Sequence, residues 1–242
     1  KKIYGMNDIF KKIYNKKNIL KKYKFCCFVE DDNFIFPKSL EESKKFLKDN
    51  NNYIACSGDS FLFSKIENKY SYLNKYNAPN TISQKNLEDR YKYYNGALCY
   101  YSLFKVKYFL FILEKINKIS DDNLSEVLFN YLAVKIGNLK NLNNLYLARK
   151  YPRPPIYNIP KKINWIKNKT LIIDLNIVID NILKNNKNLV LEESIFKYLG
   201  NRFYLRKNTN FIKNLYFKFK EKYFYQINRH QINDFINHLN KI

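Results

Sequence analysis

Hydrophobic positions recur at two spacings along this chain. Ile9, Phe10, Ile13, Ile19 and Leu20 fall at helical intervals among lysines and predict a helix over 8–20. Phe25, Cys26, Cys27, Phe28 and Val29 then run without a polar break, the pattern of a short strand covered on both faces, typical of a parallel sheet. Beyond the turn Glu30-Asp31-Asp32-Asn33 and Pro37, Ser39 is the expected N-cap of a helix to residue 49, with Glu41 and Glu42 in its first turn. Residues 53–57 and 60–64 predict two further strands joined at Gly58-Asp59, completing a strand–helix–strand unit. The stretch 65–95, rich in Tyr, Asn and Lys, predicts a long excursion. A strand over 96–104 and a helix over 106–117 follow. Ser120-Asp121-Asp122 opens another helix to about residue 136, closed by Gly137, and a last strand is expected over 141–148.

Four of the six prolines lie in 149–160, which predicts a linker. Beyond it, 170–183, 189–199, 208–223 and 231–239 have helical spacing. The expected fold class is α/β. A mixed or mainly parallel central sheet would be flanked by helices in residues 1–150, and residues 151–242 would form the linker and a helical C-terminal extension.

Composition changes the picture only in part. At 242 residues, 46% hydrophobic and 17% aromatic, the chain can bury a core, which excludes disorder along its whole length. Its apolar runs, such as 108–113, are too short to cross a bilayer. Four cysteines without metal spacing, and no signal-peptide pattern, fit a reducing, cytoplasmic setting. The chain opens on Lys1 rather than Met, so a natural start upstream is expected. The net charge of +23 comes from 38 Lys and only 6 Arg. Lys, Asn, Ile, Tyr and Phe share AT-rich codons, and the lysines are spread along the chain. The charge therefore marks a nucleic-acid binder less firmly than its size suggests. An affinity for membrane surfaces or other polyanions, or plain solubility, fits it as well.

Three segments can carry chemistry. Glu30, Asp31 and Asp32 follow an apolar strand, at the edge where open α/β sheets bind ligands. Packed acids repel unless a cation is present, and Mg²⁺ or Mn²⁺ takes one or two carboxylates plus substrate phosphates. A solvated acidic turn is the other reading. Asp121 and Asp122 are helix-capping acids by position, or a carboxylate that takes a proton from an attacking hydroxyl. Arg149 and Arg153 stand close together in a chain poor in arginine. They read as a phosphate site or as solvated charge at a linker. Tyr91, Tyr93, Tyr94, Tyr100 and Tyr101 form either a sugar-stacking wall or core and rim packing. His230 and His238 lie near one helix face without a completing ligand and read as surface residues. Ser-His-Asp, Walker and Gly-rich dinucleotide motifs are absent.

In this order the pieces resemble a bacterial family 2 glycosyltransferase with the A-type, nucleotide-diphospho-sugar transferase fold. Glu30-Asp31-Asp32 before Pro37 and a helix is similar to that family's DxD segment, Glu30 taking the first acid and Asp32 the second. Ser57-Gly58-Asp59-Ser60-Phe61 is similar to the following strand pair. Gly96-Ala97-Leu98-Cys99-Tyr100-Tyr101 resembles the acceptor-side strand, and Asp121-Asp122 the acidic pair that supplies the base. The resemblance covers about residues 5–155. It departs in having Glu as the first acid and in lacking a counterpart of the family's first strand. It implies an inverting, metal-dependent transfer of sugar from a nucleotide-diphosphate donor to a hydroxyl on a saccharide or lipid-linked acceptor. Asp32 and Asp31 would bind Mg²⁺ or Mn²⁺. Glu30, Asp31 and Arg149 would bind the donor, and Asp122, beside Asp121, would be the catalytic base. Surface polysaccharide or lipopolysaccharide synthesis is the implied setting. Peripheral contact of the basic tail with the inner face of the membrane is a further expectation. A non-catalytic basic protein binding nucleic acid or another polyanion is the competing class.

Overall fold

The structure, a computed structural model, describes residues 5–151 and 211–241. Helices α1 (Met6–Asn15) and α2 (Lys17–Leu20) precede β1 (Phe25–Cys26), β2 (Phe34–Ile35), α3 (Pro37–Asp49), β3 (Tyr53–Ile66) and β4 (Lys69–Tyr76). Then come α4 (Leu87–Tyr93), a 3-10 turn over Cys99–Tyr101, β5 (Leu103–Lys105), α5 (Val106–Ile116), α6 (Asp122–Ile136) and β6 (Asn138–Lys150). The last described element is α7 (Phe211–Lys241).

The fold is mixed α/β, as expected, but the sheet is not mainly parallel. Its order is β1-β5-β3-β6-β2, with β4 also on β3. β3 and β6 run parallel, from Tyr53↔Asn138 to Phe63↔Lys150, whereas the β1–β5, β3–β5, β3–β4 and β2–β6 pairs are antiparallel. β1 is a two-residue edge strand, not a central one, so Glu30 to Asp32 do not end a central strand. The physical reason lies in its neighbours. Cys26 and Phe28 pack toward the core of α1, α5 and α6, while Phe25 and Cys27 pack toward Leu47, Cys56 and Leu103 on the α3 side. A continuous apolar run reports cover on both faces, which is independent of strand direction.

Other boundaries also differ. Ser39 does not cap α3: Phe36 is the N-cap, Pro37 opens the helix, and the buried Ser39 hydroxyl donates to Leu145 O at 2.6 Å. The two strands expected around Gly58 are one strand, β3. The register shifts there, with Asn141 to Leu145 of β6 opposite Ser57 to Asp59 of β3 and Asn143 at φ 57°, and the glycine backbone lies against Asn144, where any Cβ would collide. The excursion after residue 65 begins as a hairpin. Glu67 and Asn68, at φ 47° and 65°, make the two-residue turn between β3 and β4. The strand expected over 96–104 is instead the 3-10 turn followed by three residues of β5. Gly137 follows α6 in extended backbone rather than as a left-handed cap. Arg149 and Lys150 belong to β6 and not to a linker. Residues 152–210, including Arg153, the rest of the expected linker and the helices over 170–183 and 189–199, lie outside the described residues.

The helices expected over 208–223 and 231–239 are one helix, α7. Phe224, Ile232 and Phe235 of α7 pack on Phe61 and Phe63 of β3, and Asn240 bonds the Tyr70 backbone of β4 in both directions. Arg90 of α4 closes the far end of α6. Its Nε donates to Val134 O at 2.7 Å, and its terminal nitrogens donate to Gly137 O and Asn138 Oδ1. Val134 O and Gly137 O are carbonyls that a helix end otherwise leaves unpaired. Among the described residues no helix is long and apolar enough to cross a membrane.

Candidate functional site

The turn after β1 closes through a bond from Asn33 N to Glu30 O, 3.1 Å. It hands the Glu30 side chain to Asn33 of the same turn and to residues from two other parts of the chain. Asn33 Nδ2 donates to Glu30 Oε2 at 2.6 Å and the Tyr101 hydroxyl donates to the same oxygen at 2.8 Å. Arg149, at the end of β6, approaches it to 3.9 Å. A second Arg149 nitrogen donates to the Tyr76 hydroxyl at 2.5 Å, and the guanidinium lies 5.1 and 5.3 Å from the Tyr76 and Tyr101 ring centres. Asn33 also accepts from Lys150 N at 3.0 Å, across 117 residues of sequence, and so ties the acidic turn to β6.

The register explains this meeting. β2 pairs with β6 through Phe34↔Ala148 and Ile35↔Leu147, which sets the residues just before β2 beside those just after Ala148. Thus Glu30 and Arg149, two separate signals in the sequence, form one cluster. Their side chains keep 28% and 26% exposure, enough for a ligand to reach them. Burial opposes the charge on Arg149, but Tyr76, Tyr101, Tyr100 and Glu30 outweigh it and hold the guanidinium protonated. Burial raises the Tyr101 hydroxyl; Arg149 works against that shift and Glu30 adds to it, so the phenol remains a donor. Among the described residues no hydrogen bond is made to Glu30 Oε1, which can accept from a ligand, and Arg149 retains donor capacity for a phosphate.

Asp31 and Asp32 are exposed on the same turn. Among the described residues no group of three His, Cys, Asp or Glu converges as metal ligands. Two neighbouring carboxylates still fit a Mg²⁺ or Mn²⁺ that completes its shell with diphosphate oxygens and water. The cavity beside the cluster, between Tyr76, Tyr101 and Ser57, measures about 10 Å³, room for one water and not for a sugar. It is therefore not an open cleft beside the acids.

Asp121 and Asp122 have structural partners. Asp121 Oδ1 accepts from Leu124 N at 2.8 Å, an N-cap for α6. Asp122 Oδ1 accepts from Asn7 N at 2.8 Å, so it also caps the start of α1. Its carboxylate lies against Gly5, where a Cβ would collide with it. One turn further along α6, Glu126 is close enough to add to the effect of burial in raising the Tyr100 hydroxyl.

Asn33 and Tyr76 carry the cluster without any sequence motif to mark them. Asn33 is the nearest to legible, standing as a turn residue directly after three acids. The tyrosines do not form a wall. Tyr91 stacks on Tyr131 at 4.8 Å, Tyr94 and Tyr100 are core, Tyr93 is exposed, and Tyr101 alone of the five meets Glu30. His230 and His238 are exposed on α7. No protein-family model matches the chain, and no curated protein matches it significantly.

Proposed function

We propose that this chain is a metal-dependent glycosyltransferase, moving a sugar from a nucleotide-diphosphate donor to a hydroxyl acceptor with inversion. One observation carries the reading: Glu30 of the acidic segment and Arg149 of β6 meet in a single partly exposed cluster. A diphosphate needs both a fixed cation and nearby carboxylates able to hold a divalent ion. Arg149 would bind the diphosphate, and Glu30 Oε1 would accept from a donor hydroxyl. Asp32 and Asp31 would hold the Mg²⁺ or Mn²⁺, whose charge offsets that developing on the leaving diphosphate.

Asp122 is the proposed base, with Asp121 beside it. The acceptor oxygen bonds to the anomeric carbon as the bond to the diphosphate breaks. The electron pair leaves with the diphosphate, and the hydroxyl proton passes to the carboxylate. The roles of Asp122 and Asp121, inversion and a setting in cytoplasmic surface-polysaccharide or lipopolysaccharide synthesis follow from the family resemblance. The test is calorimetric titration of nucleoside diphosphates with and without Mn²⁺, followed by assay of nucleoside diphosphate release from nucleotide sugars. Metal-dependent binding and release support the reading. Failure to bind any nucleoside diphosphate, together with tight salt-sensitive binding of polyanions, would replace it with the non-catalytic alternative.

A further inference from the structure

A basic groove of about 920 Å³ opens at the start of the β1 segment, where Phe25 lines it. Lys17, Lys21, Lys24, Lys48, Lys105 and Lys107 surround it, against a single acid, Glu114. Among the described residues no carboxylate forms an ion pair with any of the six lysines. Its floor is aliphatic, built from Leu47, Val106 and Leu110. Large apolar side chains stand out at and beside the rim: Tyr23 is 62% exposed, Ile19 52% and Phe111 42%. Lys105 is anchored at the end of α3 by donating to Asn50 O at 3.0 Å and Asn51 O at 3.2 Å.

We infer that this groove docks the chain on an anionic phospholipid surface. Lysine ammonium groups act as point charges toward lipid phosphates, while Ile19, Tyr23 and Phe111 enter the interface and acyl chains meet the aliphatic floor. A nucleic-acid strand fits less well. It stacks successive bases on aromatic faces, and two of the four rings that line the groove are already covered, Tyr14 by Lys17 at 4.6 Å and Phe111 by Lys115 at 5.4 Å. The groove lining contains no arginine, and Asn51 is its one amide, so it has little with which to read base edges. Docking here needs no transfer chemistry and stands whether or not the chain moves a sugar.

The test is co-sedimentation of the full chain with vesicles of phosphatidylcholine alone or mixed with phosphatidylglycerol. Lys21→Glu/Lys24→Glu/Lys107→Glu is compared with Lys69→Glu/Lys85→Glu/Lys118→Glu, which has the same net charge and alters exposed lysines outside the groove lining. Circular dichroism checks that both variants fold. Each lysine at an anionic surface is worth roughly fivefold in partitioning, so the groove variant, which reverses three charges, should lose at least about 100-fold on mixed vesicles and the control far less. Tyr23→Ser should release the chain at a lower salt concentration than wild type. Equal losses in the two triple variants, or no binding to mixed vesicles, would overturn the proposal. So would groove-dependent binding of a thymidine oligonucleotide with vesicle binding unchanged.

Discussion

Replacing Arg149 with Met separates the two tasks of the Glu30 cluster. The substitution keeps an unbranched side chain in place of the guanidinium. It removes the bond to the Tyr76 hydroxyl and the 3.9 Å approach to Glu30, but leaves the bonds from Tyr101 and Asn33 to Glu30. Glu30 stays hydrogen-bonded and about a quarter exposed, so no charge becomes buried and unpaired. One hydrogen bond to a charged donor and one screened pair together stabilise by about 1.5–4 kcal/mol. For a chain of this length that is a fall of about 3–16 °C in Tm. A guanidinium bonded to phosphate contributes about 1.5–3 kcal/mol more, so affinity for a nucleoside diphosphate should drop about 10- to 150-fold. Differential scanning fluorimetry reads the first effect and calorimetric titration in the presence of Mn²⁺ the second. A lowered Tm with unchanged affinity would refute the phosphate role and leave Arg149 as a strut between β6 and the acidic turn.

Other substitutions test the remaining assignments. Asp122→Asn keeps an oxygen to accept from Asn7 N; turnover should be abolished while metal-dependent nucleotide binding survives, whereas Asp32→Asn should weaken both, as read by parallel activity and binding assays. Near-wild-type transfer by Asp122→Asn would return that residue to a capping role alone. Arg90→Met should lower stability by about 3 kcal/mol in urea denaturation, because the last carbonyls of α6 lose charged donors; a change below about 1 kcal/mol would mean that water replaces them. Burial pushes the Cys26 thiol up to about 12, with Cys27 adding to the shift, and Cys56 up to about 11, against 9.0 for a free thiol. Both shifts are upward, so their stabilisation is complete below pH 9 and is lost as pH rises toward 11–12. Thermal melts from pH 8 to 11 should show that loss, and Cys56→Ala should make it shallower; an unchanged slope would contradict the shift.

Legibility followed the range of the interactions. α5 and β6 were readable because their patterns are set by local spacing and by burial of whole faces. β3 reads as two strands because Gly58 has the character of a turn residue, and its place inside one strand depends on pairing with β6, far along the chain. The Glu67-Asn68 turn carries no glycine to announce it. Glu30 and Arg149 each stood out as chemistry, yet their meeting depends on the β2–β6 register, which no local pattern encodes. Tyr76 became a partner only because the β3–β4 hairpin sets it opposite Ser60.

The parallel pairing of β3 with β6 has a consequence during synthesis. Tyr53 pairs with Asn138, so one side of β3 waits for a partner 138 − 53 = 85 residues further along. At 5–20 residues per second, a ribosome takes roughly 4–17 s to supply it. Through that interval β3, which carries Ile54, Phe61 and Phe63, has an unpaired edge available to other nascent chains. Loop closure over such a span is slow, so β6 docks late and completes the Glu30–Arg149 cluster as it does so. Recombinant yield should therefore respond to translation speed and to chaperones that shield strand edges, and a chain stopped before Asn138 would leave β3 without the strand that pairs along most of its length.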